Sequence, residues 1–560
     1  MIENTSTHTG FTEGPLRRAS TIQSITLPEP THRNSLDTTI DLEKAESSSG
    51  FGSSTVLGSS VTLRGPSPKS QEETVVDWNG AYDPENPRNW TRHRRWTVTL
   101  VVSLFTFISP VASSISSPSL PAISQDLGIQ PGSIMENMTL SIFVLAYALG
   151  PLIWGPLSEL FGRLIILQVS NIWFLVFNTL SGFSRTPTQM LVFRFLAGFG
   201  GAAPQSLGGG VVGDLWSPEE RGMAMALYSL APLVGPATGP LLGGFIALKS
   251  QWQWVFWSVS IADAVLQIAG FIFLRETYAP ELLKRKARLL RKESGRSNIR
   301  STFEVPDRHW TTVMGRGIIK PIVFLGTEPI VQVFALYMAV LYGVLYLSLT
   351  TFVKVFTDQY DENVGVAGLH YLSIALGSTV GGQVGARVLN KIYRVMKAKN
   401  GGVGTPEMRL PLLMVSATTL PIGLLIYGWT SNARAFWLVP DLGVFIFSIG
   451  IGDYTSDFPS SVLTNCTFIP GGNWTCVQTY LVDNYALHAA SAIAGVSSFR
   501  AFAGFGFPLF ADKMYAKLGD GWGNSILALI CLVIGCPAPF IFYRYGPRLR
   551  ARSKAALVEQ

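Results

Sequence analysis

Charged side chains inside apolar segments are the residues of this chain best placed to do chemistry. Arg194 lies a few residues into the apolar stretch 190–213, and Asp263 lies within the stretch 252–274. A charge at the centre of a bilayer costs about 2.5–3.5 kcal/mol. Arg194 should therefore face a polar cavity, unless it lies shallow enough to snorkel to the interface. A carboxylate in such a cavity can take up a proton, because burial disfavours its charged form, and Asp263 has the depth for that role.

Aromatic and amide side chains in other apolar segments have the chemistry of a binding surface for organic molecules. Tyr342 and Tyr346 are four residues apart and therefore share one helix face. Rings with polar tips bind amphipathic or cationic compounds through stacking and cation–π contacts, although the same residue types also fill protein cores. We predict a substrate cavity lined by Gln205, Tyr342, Tyr346, Gln478 and Tyr480.

Several other chemistries are excluded by what the sequence lacks. It has no GxxxxGK[ST] phosphate loop, no cluster of metal-ligating residues and no pattern typical of a catalytic triad. Its four cysteines form no CxxC pair. We therefore expect no enzymatic activity, no cofactor, no metal and no use of ATP.

Membrane-spanning helices must position these residues. The chain has 560 residues, of which 48% are apolar and only 14% charged, whereas soluble domains average about 25% charged. A span needs about 20 apolar residues. Twelve segments qualify, the tenth in two pieces: 96–116, 134–155, 164–184, 190–213, 223–247, 252–274, 325–350, 364–385, 409–429, 436–452 with 475–484, 489–511 and 523–544.

The distribution of positive charge predicts the orientation of these segments. The net charge is +7, and the basic residues concentrate before Trp96 and in the stretches 284–320, 387–399 and 544–554. The loops that alternate with these basic stretches along the chain, and therefore lie on the other side of the membrane, hold few basic residues. By the positive-inside rule, both termini are predicted to be cytosolic. Charge distributed in this way argues against a nucleic-acid-binding protein.

The twelve segments form two sets of six around a central loop, which is the plan of a transporter built from two related halves. The central loop contains LLKRKARLLRKE, predicted to be a basic amphipathic helix on the inner membrane surface. The predicted domains are a disordered cytosolic tail (1–76), an interfacial segment (77–95), a six-helix half (96–274), the central loop (275–324), a second six-helix half (325–545) and a cytosolic C-terminal tail (546–560).

Glycines at four-residue spacing predict close contact between helices. Gly235, Gly239 and Gly243 fall on one helix face, where the missing side chains let a neighbouring backbone approach. Pro236 and Pro240 remove backbone donors and bend the helix. The segment is either a hinge that closes one side of a cavity or a site of static tight packing.

A second motif, GPLSELFGR at 155–163, lies between the second and third segments. Glu159 and Arg163 can pair with each other or cap a helix end from the other half, forming a latch that breaks when the protein opens inward. The alternative is that Arg163 is only a positive-inside anchor.

Together, in this order, the motifs resemble the major facilitator superfamily and, within it, the fungal twelve-span drug:proton antiporters. The resemblance extends over about residues 77–550. It rests on the motif at 155–163, on Arg194 with Gly198 and Gly200, on GPATGPLLGG at 235–244, on DPENPRNW at 83–90 and on VQTYLVD at 477–483. Two positions depart from the family pattern, because Glu159 stands where the family has Asp and Leu160 where it has Arg.

The resemblance implies an all-α membrane protein whose twelve helices form two pseudo-symmetric six-helix halves. It places Arg194 near the proton-coupling site and makes Asp483 a second candidate for the coupling carboxylate, beside Asp263. Gating is assigned to Gly155, Glu159, Gly162, Arg163, Gly235, Gly239, Pro240, Gly243 and Gly244.

Residues 453–475 interrupt the tenth segment with a polar insertion. Its backbone groups cannot face lipid without a large cost. Asn465 and Asn473 begin N-x-T sequons, and Cys466 and Cys476 flank them, which is compatible with a glycosylated external loop. The placement within a span favours instead an error of gene prediction or a retained intron.

The expected function is proton-coupled export of drugs, toxins or secondary metabolites by alternating access. The expected partners are a small organic substrate, protons and the lipid bilayer, for a monomer in the plasma membrane or, alternatively, the vacuolar membrane. Two other functions stay open: transport of polyamines or other organic cations, and a non-transporting sensor or inactive splice form, which the insertion suggests.

Overall fold

The computed structural model describes residues 74–80, 82–217, 220–295, 298–303, 310–451, 473–485 and 489–550. Most of the predicted N-terminal tail, residues 452–472 with the sequon at Asn465, and residues 551–560 lie outside this description. So does the side chain of Asn473. The predictions about disorder, glycosylation and the origin of the insertion therefore stay predictions.

The N-terminal half is a bundle of long helices whose ends carry recognisable sequence signals. The Ser133 and Thr186 side chains cap α3 and α5 by accepting a hydrogen bond from the backbone N–H three residues later. Gly162, with φ of 91°, separates α3 from α4. The helices are α1 (Arg92–Ser114), α2 (Leu120–Leu127), α3 (Ile134–Phe161), α4 (Arg163–Ser181), α5 (Pro187–Leu215), α6 (Arg221–Lys249) and α7 (Gln253–Phe273).

The C-terminal half follows two connecting helices, α8 (Ala279–Ser294) and α9 (Trp310–Thr327). The longest helix, α16, changes direction at Gly519, whose φ of 69° and ψ of 173° are not helical, so it belongs to two successive passes. The helices of this half are α10 (Pro329–Gln359), α11 (Val364–Leu369), α12 (Tyr371–Lys399), α13 (Leu410–Asn432), α14 (Leu438–Ile451), α15 (Asn473–Asn484), α16 (Ala489–Ile530) and α17 (Pro537–Arg550).

Among the described residues, eight helices are long and apolar enough to cross a membrane, and α6 is a ninth if its bent halves count as one span. One of the eight is the continuous helical stretch Ala489–Arg550, which Gly519 divides into two passes. The other predicted segments correspond to α5 and to α14 with α15.

The seventh membrane-spanning segment begins later in the structure than the sequence predicts. A span was expected from residue 325, whereas α9 ends at Thr327 and α10 begins at Pro329. Glu328 has φ of −102° and ψ of 106°. A residue that precedes proline is sterically disfavoured from the helical region, so Pro329 separates the two helices.

Successive passes through the bundle run in opposite directions, so the starts of α1, α4 and α13 and the end of α17 fall at one end, which carries Arg92, Arg163, Arg409 and Arg550. We call it the basic end and the other the opposite end. Of the two described clefts, the larger, about 800 Å³, lies at the opposite end. Its polar lining residues include Gln125, Gln130, Glu136, Lys354 and Asp358.

The glycines of α6 allow it to lie directly against α1. A Cβ atom at Gly239 would lie 2.5 Å from the carbonyl oxygen of Val111, and one at Gly243 would overlap the carbonyl oxygen of Ile115. Such backbone contact is what small residues at four-residue spacing permit.

A bend of 43° divides α6 between Pro232 and Val234. Pro236 has no N–H to donate to the carbonyl group of residue 232, and its ring crowds that carbonyl. The bend therefore lies where Pro236 weakens the helix. Whether this bend moves as a hinge stays a prediction.

The segment before α1 forms a small layer with the connection between the halves. Strand β1 (Thr74–Val76) pairs in parallel with β2 (Ile299–Ser301). Val76, Ile299 and Ala287 of α8 form a buried apolar cluster. We call residues 74–90 the N-terminal clasp.

Asp83 is the polar centre of the N-terminal clasp. Its carboxylate accepts hydrogen bonds from the N–H groups of Asn79 (2.7 Å) and Glu85 (2.9 Å), and it pairs with Lys286 of α8 (3.1 Å). The Asn79 hydrogen bond, followed by those from Glu85 and Lys286, holds the pKa of Asp83 below its ordinary value despite burial. Asp83 is therefore ionised at neutral pH, and the ion pair ties the clasp to α8.

We expect Asp83→Asn to release the N-terminal clasp. A hydrogen bond between a charged pair contributes about 1.5–3 kcal/mol, so trypsin should cut at the exposed Arg88 at least about tenfold faster in the variant. The measurement is the cleavage rate in purified protein at neutral pH. Glu85→Gln is the control, because that carboxylate is 64% exposed and lies 3.6 Å from the same lysine. Equal cleavage rates in both variants would contradict the role given to Asp83.

Candidate functional site

Hydroxyl and aromatic groups from both halves meet halfway along the bundle. The Tyr147 hydroxyl on α3 lies 2.6 Å from the Ser109 hydroxyl on α1, and the side chain of Gln205 on α5 lies close to it. Tyr346 on α10 lies 3.2 Å from the Ser113 hydroxyl on α1.

The ring centroids of Tyr342 and Tyr346 are 4.9 Å apart. The structure therefore brings together three of the five predicted cavity residues, Gln205, Tyr342 and Tyr346, at the contact between the halves. Tyr480 lies elsewhere, and Gln478 is half-buried two residues before it on α15. Tyr480 packs its ring against Phe334 (5.2 Å) and Phe542 (6.2 Å), inside the C-terminal half.

A positive charge absent from the sequence predictions also lies at this contact. The guanidinium of Arg500, on α16, lies 4.6 Å from the ring centroid of Tyr342. Gly504 is one turn further along the same helix face, and a Cβ there would lie 2.9 Å from the Tyr342 ring and 3.1 Å from Val144 of α3. This face of α16 is therefore turned toward α3 and α10. The signal in the sequence was a lone arginine inside the apolar segment 489–511. We call Tyr147, Gln205, Tyr342, Tyr346 and Arg500 the interfacial site.

Arg194 lies beside the interfacial site and is fully buried. Its guanidinium donates to the carbonyl oxygens of Ala112 (2.8 Å) and Ser113 (3.1 Å) on α1 and of Thr139 (3.2 Å) on α3. The Phe143 ring lies 4.7 Å away. The side chain does not snorkel; it joins α5 to α1 and α3 through backbone carbonyls, two of them in the last turn of α1, where no intrahelical N–H reaches them.

The predicted coupling carboxylates lie apart from Arg194 and from each other. Asp263 is fully buried on α7 and accepts a hydrogen bond from the Asn171 side-chain amide of α4 (3.0 Å). The same Asn171 donates to Gln267 (2.8 Å), which also contacts Gln168. This polar network joins α4 to α7. Asp483 instead pairs with Arg409 (2.6 Å) at the basic end.

The basic end of each half carries an ion pair whose side chains are partly exposed. Arg163 donates to Asp214 (2.6 Å), so the partner of the predicted latch arginine is the end of α5. The Glu276 carboxylate accepts from the N–H groups of Arg163 (3.0 Å) and Leu164 (3.2 Å), and thereby caps α4. A side chain at Gly162 would collide with Glu276, whereas one at Gly155 would meet nothing within 4 Å.

At the opposite end, polar contacts join one half to the other. Lys354 of α10 pairs with Asp512 of α16 (2.9 Å) and lies 3.9 Å from Glu136 of α3. Asn137 of α3 donates to the same Asp512 (2.9 Å). Gly244 of α6 lies against the backbone of α11, where a Cβ would be 2.8 Å from the Val364 carbonyl oxygen. These contacts close the opposite end of the contact between the halves.

Two bundles that share a polar site at mid-depth, with contacts between them closing one end, define a membrane transport protein. Residues 102–508 match the family model of the Major Facilitator Superfamily. The chain belongs to this family, a family of transporters rather than enzymes. The sequence-based prediction of the fold is confirmed.

The chain is similar to fungal proteins named as efflux pumps. It is 44% identical to the efflux pump vrtL of Penicillium aethiopicum, over 87% of this chain and 92% of vrtL. It is 37% identical to the efflux pump radE of Floropilus chiversii, over 92% of each chain. The predicted resemblance to the fungal efflux branch of the family is thereby confirmed.

Solved structures with this fold have distant sequences. The xylose transporter XylE of E. coli, partially occluded and inward-open, aligns with a TM-score of 0.55 and 14% identity, over 80% of this chain and 99% of its own. A D-xylose–proton symporter aligns with a TM-score of 0.56 and 16% identity, over 82% and 99%. Identities this low support the shared fold alone.

Proposed function

We propose that this chain exports amphipathic organic molecules across the plasma membrane in exchange for protons. The observation that carries the proposal is the interfacial site, because both halves contribute to it and because it combines tyrosine rings, hydroxyls, an amide and a guanidinium. Such a surface suits a molecule with an aromatic body and polar substituents. The similarity to vrtL and radE supports export as the direction.

The positive-inside rule supports a cytosolic basic end and an extracellular opposite end. In that orientation the contacts of Lys354, Asp512 and Asn137 close the extracellular side. Release to the outside would then require these contacts to break while the basic end closes, which is alternating access.

Asp263 is the proposed proton-coupling carboxylate. It is buried within the bundle and accepts a hydrogen bond from one neutral amide, that of Asn171, which leaves its charge without a full counterion in the contacts that the structure describes. Asp483 fits a gating role better, because its ion pair with Arg409 lies at the basic end. One proton gains about 2.3 kcal/mol across 100 mV and about 1.4 kcal/mol per pH unit. The sum, about 3.7 kcal/mol, supports a substrate gradient of roughly 500-fold.

The test is tracer efflux from intact cells of an efflux-deficient yeast that expresses the chain. We expect efflux that a protonophore abolishes, with surface label confirming the plasma membrane. Asp263→Asn should reduce the protonophore-sensitive component by at least about a factor of ten, since loss of a proton-transfer group typically costs about a hundredfold or more.

Asp361→Asn is the matched control, since Asp361 is exposed in the loop before α11 and asparagine tolerates its positive φ of 55°. A form that lacks residues 453–475 is measured in parallel. Efflux only by the shortened form would support an inactivating insertion. Absence of efflux from either well-expressed form, or efflux insensitive to the protonophore, would contradict the proposal.

A further inference from the structure

A histidine held between two carboxylates lies at the opposite end of the bundle. His370 follows α11 and directly precedes α12, and its side chain is only 7% exposed. Its Nδ1 atom lies 2.7 Å from a carboxylate oxygen of Asp441 on α14, and its Nε2 atom lies 2.8 Å from one of Glu362, in the loop before α11. The ring stacks on Phe356 of α10, with centroids 3.7 Å apart. Both ring nitrogens are therefore within hydrogen-bond distance of a carboxylate.

The hydrogen bonds of this cluster depend on the protonation state of His370. A neutral imidazole has one N–H and can donate to only one carboxylate, whereas the imidazolium can donate to both. The other carboxylate oxygen of Asp441 is buried and has no hydrogen-bond partner among the described residues. Within the described part of the chain, neither carboxylate pairs with a lysine or an arginine. The charged ring of His370 is therefore the cation that compensates the two carboxylates.

The other titratable groups that face the cluster are tyrosines. The Tyr360 ring of α10 stacks on Phe356 (5.4 Å), and Tyr360 lies near both carboxylates. Tyr427 of α13 lies near Asp441. The sequence of α11, VGVAGL, has no ionisable side chain. Because tyrosine is uncharged at neutral pH and histidine changes its charge close to it, His370 is the group of this cluster that a change of pH affects first.

His370 and Glu362 lie at the two ends of α11, the short helix that contacts the other half. Glu362 precedes the capping residue of α11 and His370 ends the helix, so their pair joins its two ends. The helix lies directly on α6, where a Cβ atom at Gly368 would be 3.2 Å from the carbonyl oxygen of Pro240. Loss of the pair between His370 and Glu362 would therefore loosen a helix through which the halves touch at the opposite end.

We propose that His370 is a proton-binding site that controls the opening of the opposite end. The imidazolium keeps α11 against α6, and loss of its proton lets the two helices separate. Both hydrogen bonds are made while the ring is charged, so the closed state is favoured at acid pH and weakens as the pH rises and the ring loses its proton. The site is separate from Asp263, which lies between α4 and α7. In the orientation proposed above, the proton comes from outside the cell.

The experiment measures the opening of the opposite end in the purified full chain in detergent, at about pH 5.5 and about pH 9. Ser117→Cys is the reporter, because Ser117 is buried in the wall of the cleft at this end and donates to the carbonyl oxygen of Leu349. Gln130→Cys, exposed at the same cleft, corrects for the effect of pH on thiol reactivity. Modification by a charged maleimide is followed at each position by mass spectrometry of the peptides, so the native cysteines do not contribute.

We expect the ratio of the two modification rates, that of the reporter over that of the exposed thiol, to rise about tenfold from acid to alkaline pH. This factor corresponds to loss of one hydrogen bond between charged groups. His370→Gln removes the titrating ring, so its ratio should not depend on pH beyond the dependence of the thiols themselves.

Glu362→Gln separates proton binding from a purely structural role. The glutamine amide can donate to a neutral His370 while the other ring nitrogen donates to Asp441, so both hydrogen bonds persist at either pH. We expect a low ratio at both pH values in this variant. Asp361→Asn is the matched control, because Asp361 is exposed next to Glu362, and it should keep the wild-type dependence on pH.

Two results would overturn the proposal: a wild-type ratio that does not change with pH, or a change that persists in both Glu362→Gln and His370→Gln. All variants must elute as monodisperse species, and Glu362→Gln, at a side chain that is 21% exposed, decides the test if His370→Gln does not fold. Modification requires no transport. A ratio that depends on pH in a chain without protonophore-sensitive efflux would therefore reject the proposed function and keep this inference.

Discussion

Replacement of Arg194 by glutamine is expected to reduce export roughly a hundredfold and to destabilise the N-terminal half. The guanidinium donates to three buried carbonyl oxygens, and those of Ala112 and Ser113 lie in the last turn of α1, where no intrahelical N–H reaches them. A buried acceptor without a partner costs about 1–3 kcal/mol, and a loss of about 3 kcal/mol corresponds to roughly a hundredfold. The measurements are the efflux rate and the temperature at which the purified protein loses its monodisperse elution peak.

Arg194→Lys distinguishes charge from geometry. Lysine keeps the positive charge, but a compact ammonium cannot reproduce the fork that reaches α1 and α3 together. We therefore expect activity and stability between those of the wild type and Arg194→Gln. Arg185→Gln, in the exposed turn before α5, is the matched control and should behave as wild type. Wild-type efflux by Arg194→Gln would refute the bridging role.

The second large effect is expected from Gly243→Ala. The added Cβ would overlap the carbonyl oxygen of Ile115, so α6 and α1 would have to separate. Overpacking of this kind costs about 1–3 kcal/mol. Because Gly244 touches α11 of the other half, a shift of α6 also disturbs the contact between the halves. We expect efflux to fall about fivefold or more, which is that cost converted into a ratio of rates.

Gly506→Ala provides the comparison for Gly243→Ala. Gly506 is also inside a long helix, but a Cβ there meets nothing within 4 Å, so its replacement should leave efflux and thermal stability unchanged. Similar losses in the two variants would show that the effect reflects helix flexibility in general and not the contact between α6 and α1.

Much of the fold could be predicted from the sequence because apolar segments long enough to cross a bilayer are a strong signal. The start of the seventh segment was misplaced, since hydropathy averages across Glu328 and Pro329 and does not register the break. The small β-sheet was also missed. Its strands are three residues each and pair Thr74–Val76 with Ile299–Ser301, which are distant in sequence and have no local pattern.

The interfacial site was only partly predictable. Tyr342 and Tyr346 were identified because four-residue spacing places them on one helix face. The short helix α15 has no clear polar side, so its sequence does not indicate that Tyr480 turns into the C-terminal half. Arg500 was missed because a single charge barely alters the mean hydropathy of its segment. The amide network around Asp263 had a weak signal in the sequence, namely Gln168 and Asn171 at three-residue spacing in α4, of which Asn171 bonds Asp263 and Gln168 bonds Gln267.

The N-terminal clasp has a mechanical consequence for how far the halves can separate. Strand β2 ends at Ser301, where it is held by β1, and α9 begins at Trp310. Eight residues separate Ser301 from Trp310 in the sequence, and a chain of that length reaches at most about 28 Å when fully extended. The N-terminal clasp thus reduces the effective length of the connection between the two halves, which is some fifty residues long, to this distance. We call this shortened connection the tether. That tether sets an upper limit on the angle through which one half can rock against the other.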